Sequence, residues 1–232
     1  MEALIKIIEF LDTQMETPTC YGWFHLLWLV VILPVSTFLL CRFYGKVTEK
    51  QVRKVLLITA ISVIILEIYE MINYTFTVVD GAVVADFQWY AFPFQFCSTP
   101  MYVGLLAGLI KKGKVHNSLC ACLTTFAMFA GAAVMVYPGD VFIGTVGINI
   151  QTMICHGSMI TIGIYLLYTG HVELKHKTIL KAIPVFAVAV AIACIMNEIA
   201  YQSGLLETDT FNMFFISPYC EGTLPVYSLV QG

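Results

Sequence analysis

Long apolar runs separated by short polar breaks dominate the chain, and the runs are too long for ordinary soluble helices. Six of them reach the roughly 20 residues a helix needs to cross the hydrocarbon core of a bilayer. They cover about 23–41, 54–74, 88–110, 115–136, 150–168 and 179–201. This pattern predicts an all-α, polytopic membrane bundle of about six transmembrane helices, with 1–232 as a single transmembrane domain. A shorter run precedes them. Within MEALIKIIEFL, Leu4, Ile7, Ile8 and Leu11 recur at i, i+3, i+4 and i+7. That is an amphipathic helical spacing, too short and too charged to span. It predicts an interfacial helix within an extracytoplasmic segment 1–16, followed by a first span that serves as an uncleaved signal-anchor.

Proline adds detail to this pattern. Pro34, Pro93, Pro100 and Pro184 lie within predicted spans, which a bundle tolerates when neighbouring groups satisfy the freed carbonyls. Pro93 and Pro100 flank FQFCST, so the third span is expected to kink or break there. After Tyr201 the chain turns mixed and ends in LPVYSLVQG, which reads as the approach to a seventh helix missing at the C-terminus.

Charge then orients the bundle. Eleven of the twelve Lys and Arg residues sit on alternate loops: Arg42–Lys54, Lys111–Lys114 and Lys175–Lys181. The other loops carry acids, including Asp80, Asp86, Asp140, Glu207, Asp209 and Glu221. Three loops agree, so the positive-inside rule places the N-terminus outside the cytoplasm. Composition supports the same class, with 59% hydrophobic and 12% charged residues. A soluble globule needs more polar surface. The net charge of -3 and the absence of a basic, aromatic-interleaved stripe argue against a nucleic-acid partner. The expected setting is the plasma membrane, multi-pass, with membrane lipid as partner; oligomeric state is not legible. Of the eight cysteines, only Cys20 and Cys220 fall in loops where the compartment would allow a disulfide.

Polar residues inside the predicted spans are costly and are functional candidates by default. Here they are His25, Glu67, Glu70, Cys97, His156 and Glu198, accompanied by Asn73, Gln95, Ser98 and Asn197. At 1.5 Å per residue, Cys97 lies roughly 13 Å and His156 roughly 9 Å inside their spans. All these residues fall in the outer half of the bilayer, which predicts one polar cavity opening outward. Plainer roles exist for each. His25 could be an interfacial belt residue beside Trp23 and Trp28, and Glu67 and Glu70 could pair with a histidine for structure. Glu198 could simply be solvated, and a lone Cys97 could be packing.

Chemically, a thiol needs a base or a cationic neighbour to become the reactive thiolate. His156 could supply it, with Glu67 or Glu70 orienting the imidazole as in a nucleophile–base–orienter triad. At this depth the natural substrate is a lipid acyl or ester group. The same His and Glu side chains could instead bind a proton, a cation or a small molecule, as in a non-enzymatic binder or transporter. Neither internal repeats nor inner-half polar residues favour transport. A Zn²⁺ site of His and carboxylate would be a third use, but no HExxH-type spacing is present, so no metal or other cofactor is assigned.

The segments FPFQFCS at 92–98, ICHGSM at 154–159 and WFHLLWL at 23–29 together resemble the YwaF-like family of bacterial integral membrane proteins. That family is distantly similar to a eukaryotic transmembrane acyltransferase acting on ether phospholipids. The resemblance implies that Cys97 is the acyl-accepting nucleophile and His156 its partner, with His25 matching the family's span-one histidine. Where family members commonly carry a span-three histidine, this chain has Gln95.

Overall fold

The computed structural model describes residues 2–45, 48–204, 206 and 211–220, and helices dominate it. In chain order the elements are α1 (Glu2–Leu11), α2 (Trp23–Tyr44), α3 (Glu49–Asn73), β1 (Phe76–Val79) and β2 (Ala82–Ala85). There follow α4 (Thr99–Leu109), α5 (Lys114–Val136), α6 (Val146–Tyr168) and α7 (His176–Ser203). Five of these, α2, α3, α5, α6 and α7, are long and apolar enough to cross a membrane. The chain is therefore an all-α polytopic bundle, as its hydropathy predicts. The seventh helix expected beyond LPVYSLVQG falls outside the described residues.

The third predicted span, 88–110, is not one helix. Only Thr99–Leu109 is α-helical, about 16 Å long at 1.5 Å per residue, preceded by a 3₁₀ turn at Trp89–Ala91. The cause is local. Pro93 lacks an N–H and biases Phe92 towards extended backbone, seen at φ -55 and ψ 132. Pro100 suits the first turn of a helix, so α4 begins there. Irregular backbone at membrane depth must find its partners within protein. It does: Tyr102 donates to Pro93 O at 2.7 Å, and the N–H groups of Ser98 and Thr99 both reach Gln95 O.

A hairpin occupies the loop after α3, with Phe76 to Val79 paired antiparallel to Ala85 to Ala82. Its turn residues Asp80 and Gly81 both have positive φ, 51° and 74°, the pattern of a type I′ turn. The Asp-Gly pair is the sequence signal for it, outweighed in the hydropathy reading by the spans on either side. Helix α1 packs on this hairpin, buries Ile8 and exposes Leu4, Ile7 and Phe10. Its last carbonyl, Leu11 O, accepts from Tyr69 Oη at 2.8 Å and Asn73 Nδ2 at 3.2 Å of α3.

The lysine-bearing end of the bundle is closed. Val52, Leu56, Ala107, Tyr165 and Leu166, drawn from α3, α4 and α6, are essentially fully buried together. Arg53 reaches across from α3 to the carbonyls of Gly108 and Leu109 at 2.9 and 2.6 Å, a cation at the C-terminal end of α4. Glu49 Oε1 accepts the Lys112 N–H at 2.9 Å, and Thr48 and Gln51 form a capping box at the start of α3. Cys20 is not bridged to Cys220, whose Sγ lies 3.5 Å from Phe211 O.

Candidate functional site

Two polar branches start one turn apart on α3. The first starts at Glu67, buried on α3, whose Oε1 accepts from Ser98 Oγ at 2.8 Å. Ser98 ends the broken turn, so this bond fixes the position of its neighbour Cys97. The second starts at Glu70, one turn along α3 on the same face. Its Oε2 accepts from Gln151 Nε2 at 2.6 Å, Gln151 Oε1 accepts from Thr152 Oγ1 at 3.3 Å, and Thr152 O accepts from His156 Nδ1 at 2.8 Å. A carbonyl can only accept, so the proton of a neutral His156 sits on Nδ1 and the lone pair on Nε2. That Nε2 is buried and has no partner among the described residues.

Cys97 is half-buried and lines a cavity of about 30 Å3, room for a water or two. The other thiol on that cavity is Cys155 of α6, with Ser158, Pro100 and Met101 completing the near walls. Glu67 and Glu70 both lie close enough to Cys97 and Cys155 to interact with them electrostatically. No hydrogen bond joins Cys97 to His156, because Nε2 is unpartnered and Nδ1 is committed to Thr152. On a helix, adjacent residues diverge by about 100°, so Cys155 and His156 face different neighbours. Behind His156 the α5 backbone is seated directly on α6. A Cβ on Gly131 would fall 2.6 Å from His156 O, so only glycine allows that approach.

The remaining candidates take separate positions. His25 is fully buried and both its nitrogens are used: Nδ1 accepts from the Tyr21 N–H at 2.8 Å, and Nε2 lies 2.8 Å from Met135 O. It clamps the start of α2 to the end of α5. Gln95 and Asn197 hold the segment after α7 by matched pairs of bonds. The Asn197 side chain donates to Met213 O at 3.0 Å and accepts from its N–H at 2.8 Å. The Gln95 side chain donates to Asn212 O at 3.1 Å and accepts from the Phe214 N–H at 3.0 Å. Glu198 is exposed and accepts from Tyr219 Oη at 2.7 Å and Gln202 Nε2 at 2.8 Å. Of the ten polar residues, then, Glu67, Glu70, Cys97, Ser98 and His156 belong to the network or its edge, while the other five tie elements together.

Sequence reasoning missed Gln151, Thr152 and Cys155. Helical spacing held the signal, since Gln151, Cys155 and Ser158 at i, i+4 and i+7 share the face that Glu70 and Cys97 meet. It also missed a second Cys/His pair inside α5. There Cys120 Sγ lies 3.4 Å from His116 Nε2, and His116 Nδ1 is 3.0 Å from Ala107 O. Among the described residues, no group of three or more His, Cys, Asp or Glu side chains is placed to hold a metal ion.

Comparison with known proteins finds a family match. The model of the TMEM164 family covers residues 20–227, nearly the whole chain, and the chain belongs to that family. No curated protein and no solved structure matches it.

Proposed function

We propose that this member of the TMEM164 family is an intramembrane, cysteine-dependent enzyme that transfers or hydrolyses lipid acyl groups, with Cys97 as the nucleophile. One observation carries the reading: a thiol lines a small internal cavity next to the Glu67–Ser98 hydrogen bond, and a buried imidazole with an uncommitted lone pair ends the separate branch that starts at Glu70, one turn along α3. The resemblance to the YwaF-like family, and through it to an ether-phospholipid acyltransferase, supplies the substrate class.

In the proposed reaction the Cys97 sulfur attacks the ester carbonyl of a phospholipid, forming the C–S bond. The thiol proton passes to His156 and on to the departing lysolipid oxygen as the ester C–O bond breaks. A hydroxyl of an acceptor lipid, or water, then attacks the thioester and restores the thiol. His156 suits the role of base because Thr152 O fixes its tautomer with the lone pair on Nε2. Apo geometry is often looser than the Michaelis complex, and substrate would have to bring thiol and imidazole together. Glu70, acting through Gln151 and Thr152, is a positioning residue.

Purified protein incubated with acyl-labelled phospholipid should form a hydroxylamine-sensitive thioester. Cys97→Ser should abolish it, Cys155→Ser should retain it, and His156→Ala should slow it by about 10²–10⁴-fold, the usual weight of a general base. A well-folded wild-type protein that never acylates across a lipid panel, or acylation that persists in Cys97→Ser, overturns the proposal.

A second reading keeps one observation in its favour. Among the described residues the ion pairs are Lys6–Glu2 and Lys175–Glu173, so the Glu67–Glu70 pair has no basic partner there. Carboxyls so placed suit a proton or cation binder. Proton-coupled uptake into liposomes, lost on Glu70→Gln, would favour it over acyl transfer.

A further inference from the structure

Helices α2 and α3 are consecutive in sequence, yet each packs along α6 and they barely touch one another. The gap between them is a fissure of about 250 Å3, walled by Ile32 and Ser36 of α2, Thr59 of α3, and Gly157, Ser158 and Ile162 of α6. Its neighbours Val31, Val35 and Ile58 are exposed apolar side chains, so the mouth opens on the lipid-facing surface of the bundle. Three of its walls, Thr59, Ser158 and Ile162, are also walls of the Cys97 cavity. One layer of side chains therefore separates the lipid-facing opening from the thiol.

We infer that this α2–α3 fissure is the lateral slot through which one acyl chain of a membrane phospholipid reaches Cys97. The inference deepens the acyl-transfer reading above and rests on it for its purpose, though not for its test. The course of the slot decides between occupants. The fissure opens on the lipid-facing surface and shares three walls with a cavity of only about 30 Å3 at the thiol. An occupant that reaches Cys97 must therefore be slender and flexible at its inner end, as a single hydrocarbon chain is and a helix about 10 Å across is not. Polar groups of the slot are turned away: Ser36 Oγ donates to Leu33 O, Ser158 Oγ to Cys155 O, and Thr161 Oγ1 pairs with Thr37 Oγ1 at 2.8 Å. What remains around the slot is mainly apolar, with Trp28, Ile32, Leu33, Met153, Ile154 and Ile162 among its walls and the Thr59 side chain beside them.

A second observation points the same way. Two stretches of the bundle are π-helical, Leu27–Ile32 in α2 and Leu123–Ala127 in α5. Such widened turns recur at functional sites. Here Ile32 borders the fissure and Leu123 borders the Cys97 cavity. A larger apolar groove of about 440 Å3 lies between α4, α5 and α7, but none of its walls is shared with that cavity. It serves as the internal comparison.

The test uses the full chain in phosphatidylcholine nanodiscs containing a phosphatidylcholine with a photoactivatable diazirine in its acyl chain. Crosslinks should concentrate on residues 32–36 and 154–162 over the lipid-exposed face of α7, in wild type and in Cys97→Ser alike. Gly157→Leu should fill the slot, because a Cβ there has only Leu33 in ordinary contact at 3.7 Å. Labelling at both segments should then fall about tenfold, and Ser36→Leu should act likewise should the first variant not fold. Val188→Trp in the α4–α7 groove should change neither. Crosslinks spread evenly over all lipid-facing helices, or concentrated on the α4–α7 groove, overturn the inference. Because Cys97→Ser is used for labelling, a chain bound in the fissure without any thioester in wild type would sink the enzyme reading alone.

Discussion

His25 and His156 are both buried imidazoles in apolar helices, and they differ in what the second nitrogen does. His25 bonds across helices with both, to the Tyr21 N–H and Met135 O. Removing it leaves the buried Met135 carbonyl without its partner, at about 1–3 kcal/mol for an unsatisfied buried group, and frees the Tyr21 N–H in a part-buried setting. His25→Ala should therefore lower the unfolding temperature in detergent while the folded fraction still forms the Cys97 thioester at wild-type rate. Full stability with lost chemistry would instead make His25 part of the reacting site. His171, in the loop after α6, carries the opposite problem. Its Nε2 is buried without a partner, and burial together with Lys112 and His116 pushes its pKa below the ordinary value, with Glu49 opposing. The folded chain thus binds fewer protons at this position than the unfolded one. Its contribution is intact above the unfolded value of about 6.5 and is lost as pH falls from there through the depressed folded value. Thermal stability should decline on acidification below that point, and His171→Gln should flatten the decline. An unchanged slope in the variant would remove His171 from the explanation.

At the scale of elements, the broken third span is where hydropathy misleads and local chemistry corrects. The apolar run 88–110 is continuous, but the Pro93 and Pro100 backbone makes the helix start at Thr99, and the freed polar groups then need partners. The prolines were legible; the partners were not, because Gln95 finds Asn212 and Phe214 117 and 119 residues away in sequence. The same holds for the site. Candidate residues could be listed from their cost in a membrane, but the Glu70–Gln151–Thr152–His156 branch depends on how α3 and α6 are rotated about their axes. Gln95→Ala should release the 211–217 segment with the bundle intact. Limited proteolysis near that segment should accelerate while the helical circular dichroism stays unchanged. Equal protection in the variant would mean the Asn197 clamp suffices alone.

Across the whole molecule, charge and packing divide the bundle into two storeys. The storey at the lysine-bearing end is sealed by side chains such as Leu56, Tyr165 and Leu166, and its charges are tied to backbone by Arg53 and Glu49. The polar network of Glu67, Glu70, Ser98 and Gln151 lies beyond that seal, towards the hairpin end of α3. A transporter needs access from both sides in turn; in this closed storey the buried polar groups His116 and Cys120 are bonded to one another and to Ala107 O. The lateral access from the lipid proposed above is compatible with such a closed end. Which leaflet that lipid occupies depends on orientation, and orientation rests on eleven of twelve basic residues lying at one end. Single-cysteine probes decide it on a background lacking reactive thiols. Asp140→Cys, on the exposed turn between α5 and α6, should react with an impermeant maleimide in intact cells. Lys112→Cys, on the exposed turn between α4 and α5, should react only after permeabilisation. The reverse pattern would place the polar network on the cytoplasmic side, and with it the proposed acyl chemistry in the inner leaflet.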